Sequence, residues 1–294
     1  MMPVAELPGD VPFEVFFREH IEKKRPCVLR SAARSWPATA RWTPDFFSNR
    51  YGQVLVDFVD TTSGARPQHP LGSYFGLAEP ERSRTYVCDW DFRKCAPELL
   101  QDLGTLPQFS VDWIEALPER LRPDLMWIYI GHAGTAGPTH LDNLGTSAWL
   151  AVLDGRKRLR FCWPEKGQMP ARVDLFSEPS TMDVQEACLE AGDVVYVPSL
   201  TWHAARNDTY CVSVTANFID GGNLEDYHST LSRTVHDRRV LVTRLNALED
   251  RSQADARKQE IVHLELALRR YRARLEHDLL ELADFEAALA EHRQ

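Results

Sequence analysis

WIYIGHAGTAGPTHLDNLGTSAWLAVLDGRKRLRFCWP, residues 127–164, breaks short apolar runs with glycine, proline and aspartate. Runs of about four to eight residues rich in Val, Ile, Trp and Tyr, bounded by such turn residues, read as strands. The same texture fills 125–220, where MWIYIG, TSAWLAVLDG, KRLRFCW, ACLEAGDVVYVP and CVSVTANFI are each of strand length. Asp154-Gly155 marks a hairpin turn and Ala191-Gly192-Asp193 another turn. Short strands at this spacing point to an antiparallel sandwich or barrel.

His140-Leu141-Asp142 sits after the loop GHAGTAGPT and before a strand. Positions i and i+2 of an extended chain share a side, so both side chains can face the inside of a barrel and reach one ion. His203 comes sixty-one residues after Asp142, at the start of the next β-rich run, where a barrel brings it opposite the pair. Two imidazoles and one carboxylate bind one face of octahedral iron(II) and leave the other face open, though manganese, cobalt, nickel or zinc also suit such donors. A lone His-x-Asp pair is common by chance. His20, His69 and His132 are read as surface or loop histidines.

Before the barrel, residues 10–25 read as an amphipathic helix with Asp10 as its cap and Pro12 early in it, ended by Pro26. CVLRSA (27–32) is a strand, 44–51 a helix capped by Thr43, and VLVDFV (54–59) a strand. Residues 60–83 are a long loop with a short helix at 71–77. TYVCD (85–89) is a strand, and helices follow over 96–103 and 111–116. Residues 224–294 contain no Gly or Pro. Leu224, Tyr227, Leu231, Val235, Leu241, Leu245 and Leu248 make one helical stripe. Ile261, Leu264, Leu268, Tyr271, Leu275, Leu279, Leu282, Phe285 and Leu289 make a second, with Ser252-x-x-Asp255 between them. The two stripes imply an antiparallel hairpin, or a homodimer in which the segment meets its copy. The expected division is 1–222, with the barrel at about 125–220, and 223–294.

Apolar residues make up 44% of the 294, enough for a real core, and no apolar stretch approaches the length of a membrane span. A net charge of −9 argues against a non-specific nucleic-acid binder. The acidic, proline-bearing N-terminus does not read as a secretory signal. Six scattered cysteines without a C-x-x-C pair suit reduced thiols, hence a cytoplasmic protein.

Four stretches resemble the jumonji-C branch of the cupin superfamily, the 2-oxoglutarate-dependent oxygenases. They are RPCVLRSAARSWP with RWTPDFF (25–47), TYVCDWDF (85–92), the stretch 127–164, and LEAGDVVYVPSLTWHAARNDTYCVSVTANF (189–218). The resemblance is to the group that includes the asparaginyl hydroxylase of hypoxia-inducible factor, a jumonji-C lysyl-5-hydroxylase and the wybutosine-tRNA hydroxylase. It implies a mainly β fold with flanking helices: a double-stranded β-helix (the cupin or jelly-roll barrel), N-terminal helices and a C-terminal helical segment. It implies His140, Asp142 and His203 as iron(II) ligands. Lys157 matches the lysine that pairs with the distal carboxylate of 2-oxoglutarate, a task suited to a compact point charge. Tyr86 matches a tyrosine that helps hold that carboxylate, and Thr215 and Asn217 match a strand-end T-x-N near metal and cosubstrate. The chain departs from some relatives at Gly137, where they have threonine, and Leu150, where they have asparagine. Thr139 or Thr146 is expected to substitute. Of Trp127, Trp149, Trp202 and Phe218, one is expected to line the pocket and the rest to pack.

The implied reaction oxidatively decarboxylates 2-oxoglutarate with dioxygen and hydroxylates an unactivated C–H bond. The expected substrate is an amino-acid side chain in a protein or peptide, bound by a groove that the 60–83 loop and the DWDF segment form. The alternatives are a free amino acid, a small metabolite or a tRNA base, N-methyl demethylation, or a non-catalytic metal-binding cupin.

Overall fold

The computed structural model describes residues 2–116, 122–164, 173–177 and 183–252, with isolated positions between 274 and 287. The chain opens with strands β1 (Met2–Pro3) and β2 (Ala5–Pro8), which polarity and shortness hid from the sequence reading. The helix expected over 10–25 is only α1 (Phe13–Phe16), continued by a π-helical turn, Phe17–Ile21. Pro12, not Asp10, stands at its N-terminus, and no side chain caps it. The wide turn lets Arg25 N–H reach His20 O and turns the His20 ring inward against Phe16. His20 is therefore a core residue, 7% exposed, and not a surface histidine.

Strand β3 (Cys27–Arg30) leads to α2 (Pro37–Arg41) and α3 (Pro44–Tyr51). Thr43 caps α3 as expected, its hydroxyl accepting from Phe46 N–H. Next come β4 (Leu55–Asp60), β5 (Gln68–Pro70), α4 (Leu71–Tyr74), α5 (Glu81–Arg84) and β6 (Thr85–Trp90). The supposed long loop thus closes a hairpin, since β4 pairs antiparallel with β5. The helices expected over 96–103 and 111–116 are 3₁₀ turns, Pro97–Asp102 and Trp113–Ala116. Such short pieces between prolines favour the tighter form.

The barrel strands are β7 (Met126–Gly131), β8 (Ser147–Asp154), β9 (Arg156–Cys162), β10 (Val184–Glu190), β11 (Val194–Val197), β12 (Trp202–Asn207) and β13 (Cys211–Phe218). They fall into a sheet ordered β2-β3-β11-β8-β13-β7-β6-β4-β5 and a smaller one ordered β1-β10-β9-β12. Residues 135–140 extend the smaller sheet past β12 through bridges Ala136↔Arg206 and His140↔His203. This is the jelly-roll expected. Gly155 (φ 77) turns β8 into β9, and a Cβ there would meet Tyr210 O at 1.8 Å.

β8 explains why its sequence shows no polar alternation. Ala148, Leu150 and Val152 point between the sheets, onto Leu159 and Phe161 of β9. Ala151 and Leu153 point the other way, into a core shared with Phe16, Trp36, Trp42 and Phe47 of the N-terminal helices. Both faces are covered, so both are apolar.

Helix α6 (Leu224–Ser252) follows the barrel. Its Tyr227 and Leu231, both fully buried, pack with Ile114, Leu125 and Ile219, and Leu282 lies against the same cluster. Burying each such side chain contributes about 1.5–3 kcal/mol, so packing continues across residue 222. The Ser252-x-x-Asp255 break and most of the second stripe lie outside the described residues. Among the described residues no helix is long and apolar enough to cross a membrane.

Candidate active site

A cavity of ≈ 540 Å³ opens between the sheets. At one end stand His140, Asp142 and His203, whose ligand atoms all lie within 4.8 Å of one another. Backbone pairing holds the two histidines side by side. His140 N–H donates to His203 O at 2.9 Å and His203 N–H to His140 O at 3.0 Å, leaving the rings 4.3 Å apart. The Nδ1 of His140 lies 2.9 Å from Pro138 O, and that of His203 lies 2.9 Å from Thr201 O. A carbonyl only accepts, so each Nδ1 carries the proton and each Nε2 presents its lone pair. Asp142 Oδ1 lies 3.8 Å from His140 Nε2 and 3.9 Å from His203 Nε2. Burial lowers the His203 pKa against the opposing pull of Asp142, which keeps the ring a neutral donor.

Asp142 is presented by the 3₁₀ turn Asn143–Gly145. Helix α6 backs this turn so closely that a Cβ on Gly145 would meet Asp226 O at 2.8 Å. The Asp226 side chain itself accepts from Ser199 and Lys24. Asp142 Oδ2 is buried without a hydrogen-bond partner among the described residues. A buried carboxylate oxygen without a donor is costly unless a cation meets it, so the donor set fits a divalent metal.

Lys157 of β9 lies deeper in the same cavity and is 1% exposed. Its ammonium donates to Tyr86 Oη at 2.9 Å and stands 5.6 Å from the ring centroids of Tyr86 and Tyr129. Among the described residues no carboxylate pairs with it, and burial pushes its pKa below the usual lysine range. Asn207 faces Lys157 across the β9–β12 ladder. Its amide donates to Thr135 Oγ1 at 2.9 Å and also reaches the Tyr86 hydroxyl. Gly131 makes room for this cluster, since a Cβ there would sit 1.9 Å from Asn207 Nδ2. A buried cation with one hydroxyl acceptor and, among the described residues, no counter-charge fits a carboxylate ligand.

Thr215 and Asn217 of β13 line the cavity wall. Their polar atoms are also engaged in the sheet: Thr215 donates to Trp149 O and Asn217 to Thr146 Oγ1. Gly137 and Leu150 line the cavity too, but Thr139 and Thr146 do not. Thr139 instead accepts from Leu175 N–H, and Thr146 donates to Asn143 O. Neither therefore replaces the polar groups that Gly137 and Leu150 lack. Trp127 is the tryptophan that lines the cavity. His132 is half-buried and stacks on Tyr74 at 4.9 Å, unlike the exposed His69.

Tyr129, Asn207, Arg66 and Asp89 were not singled out in the sequence reading. Tyr129 and Asn207 were legible by period-2 alternation, from Trp127 and from His203 respectively. Arg66 and Asp89, which form an ion pair at the cavity mouth, lie in the 60–83 loop and the DWDF segment expected to form the groove, though neither carried a signal of its own.

A donor set for a divalent metal and a buried cation thus share one cupin-type barrel cavity, and comparison with known proteins gives the same fold family. The chain belongs to the family defined by a Cupin-like domain, whose model matches residues 13–221. It is similar to lysine-specific demethylase JMJ21 of Arabidopsis thaliana, at 28% identity over 81% of this chain and 28% of that protein. It is 26% identical to the bifunctional arginine demethylase and lysyl-hydroxylase psr-1 of Caenorhabditis elegans, over 76% of this chain and 62% of that one. It is 27% identical to the human 2-oxoglutarate and iron-dependent oxygenase JMJD4, over 74% of this chain and 61% of that one. The chain thus spans less than two-thirds of each of these relatives. The human relative is named for iron and 2-oxoglutarate, and the donor set here suits a divalent metal.

Proposed function

We propose that this protein is an iron(II)- and 2-oxoglutarate-dependent oxygenase that hydroxylates an amino-acid side chain in a protein or peptide. The observation that carries the reading is Lys157, a buried cation with no carboxylate partner among the described residues, in the cavity that also holds the His140–Asp142–His203 donors. In this reading His140, Asp142 and His203 hold the metal, and Lys157 with Tyr86 holds the distal carboxylate of 2-oxoglutarate. Bound there, iron(II) and 2-oxoglutarate would supply the oxidising chemistry, with one atom of dioxygen going into a substrate C–H bond and the other into succinate as carbon dioxide is lost.

The chain's own part is positional. The carbonyls of Pro138 and Thr201 fix which nitrogen of each imidazole faces the metal. Asn207 keeps the Tyr86 hydroxyl beside Lys157. Leu150, Leu159 and Val197 keep water from the wall of the cavity. Thr215 and Asn217 shape the side nearest β13. Half of the His140 side chain stays exposed, which leaves the metal end open toward a substrate. Protein side chains as substrates are supported by the relatives named for arginine demethylation and lysyl hydroxylation, two reactions that share C–H hydroxylation as a first step.

The test is anaerobic. Iron(II) and 2-oxoglutarate added to the protein should give a weak visible charge-transfer band, lost in Lys157→Ala, and air should then release succinate. Metal binding without the band would sink the oxygenase reading and leave a metal-binding cupin.

A further inference from the structure

Resting on the proposed function for its reaction, we infer that Asp89 selects the substrate by taking a cationic side chain, and that Arg66 occupies that carboxylate until one arrives. The ladder between β6 and β7 is irregular. Tyr86 pairs with Gly131 and Val87 with Ile130, but Trp90 pairs with Ile128. Cys88 and Asp89 therefore share the single residue Tyr129, which makes a β-bulge. Asp89 occupies it with φ 53, a left-handed backbone that aspartate tolerates better than most residues. On a regular strand neighbours point to opposite faces. Here Tyr86, Cys88 and Asp89 all line the cavity. Bulges are a means of re-aiming a side chain beside a site, and this one brings a carboxylate to the mouth.

The two members of the mouth pair are held very differently. Asp89 is fixed, because the half-buried Tyr129 donates its hydroxyl to Oδ1 at 2.8 Å. That leaves Oδ2 for another donor, and Arg66 Nη1 fills the place at 2.8 Å. Arg66 comes from the exposed turn between β4 and β5, and its side chain remains 49% exposed. An exposed ion pair of this kind is weak, so an incoming guanidinium or ammonium can replace Arg66 at little cost. Arg66 is thus a stand-in for the group that Asp89 is set to bind.

Charge decides the sign of that group. The charged residues lining the cavity are Asp142, Lys157, Arg66 and Asp89. The first two are committed to metal and dicarboxylate in the proposed function. When Arg66 swings away, Asp89 is left with an uncompensated charge, which a cation restores and an anion worsens. Trp127 and Tyr129 add aromatic faces to the lining, surfaces that also favour a cation.

The experiment measures binding by calorimetry on the full chain without added metal. The probes are Nα-acetyl amides of arginine, lysine, norleucine and glutamate. They are titrated into the wild type, Arg66→Ala, Asp89→Asn and Tyr129→Phe. Removing Arg66 should tighten both cationic probes about 2- to 5-fold, the strength of one exposed ion pair. Asp89→Asn, which can still accept from Tyr129, should bind lysine and norleucine probes alike. Tyr129→Phe leaves both charges in place and should reduce the preference for cations while keeping its sign. If the wild type instead takes the glutamate probe and Arg66→Ala loses it, Arg66 is the reader and the inference is wrong. Absence of any charge preference, or of any binding in Arg66→Ala, overturns it too. The charge-transfer band of the wild type is scored separately. A cation preference without the band sinks the oxygenase reading alone, and the band without a preference sinks this inference alone.

Discussion

The floor of the cavity and its mouth follow opposite plans. At the floor, Lys157, Tyr86 and Asn207 are buried and hydrogen-bonded within strands that pair on both sides. At the mouth, Arg66 and Asp89 are exposed and come from a turn and a bulge. A polar group at the floor interacts strongly when paired and costs heavily when not. A pair at the mouth opens cheaply. The floor suits partners that every turnover needs, and the mouth suits a partner that must be recognised and released.

Asp142→Ala should strike hardest. It should weaken iron(II) or manganese(II) binding, read by calorimetry, beyond the roughly 10- to 100-fold that loss of an outer-shell partner causes. A change within that range would remove Asp142 from the ligand set.

Lys157→Met should separate binding from stability. The affinity for 2-oxoglutarate should drop by about 100-fold, whereas the ligand-free protein should gain about 1–4 kcal/mol, because an unpaired buried charge gives way to an apolar side chain. Chemical denaturation checks the second part. A loss of stability would mean that Lys157 has a partner in the free protein. Burial lowers the Lys157 pKa, so the wild type sheds this penalty as the lysine deprotonates. The gap between wild type and variant should therefore narrow as pH rises toward about 10.4, the unfolded lysine value. A gap that widens would reverse the sign of the argument.

Asn207→Ala is an intermediate case. Tyr86 loses a neighbour while the metal donors are untouched, so 2-oxoglutarate binding should weaken about 10-fold with metal affinity unchanged. Equal losses of both would mean that Asn207 supports the whole barrel and not the lysine end. Arg66→Ala should do least to the fold, costing no more than about 1 kcal/mol, the strength of one exposed ion pair. A larger loss would erase the contrast between floor and mouth.

Much of this was legible in the sequence, for reasons that differ by residue. The barrel strands announced themselves because β8 is covered on both faces and its run is apolar throughout. Lys157 sits in Arg156-Lys157-Arg158-Arg160, which looks like a solvated basic cluster. Alternation resolves it: Lys157 shares a face with Leu159 and Phe161, while Arg158 and Arg160 turn to the other face, onto Asp208 and Glu186. His140 and Asp142 were readable because a simple two-residue spacing brings them together. Asp89 was readable only as part of the DWDF segment expected at the groove, since a bulge breaks the periodicity that would single it out. His20 hid behind a π-turn in the same way. The 3₁₀ turns at 97–102 and 113–116 read as helices because their residues favour helix and only their length forbids it.

The backing of the Asp142 turn by α6 has a mechanical meaning. Gly145 rests on Asp226, and Asp226 also accepts from Ser199, in the segment that leads into His203. One helical turn thus braces two of the three routes by which donor atoms reach the metal position. The helix lies outside the barrel in sequence and behaves as its rear wall. Shortening the chain at residue 222 would take away that wall, and the donors would lose their alignment before the strands lost their pairing.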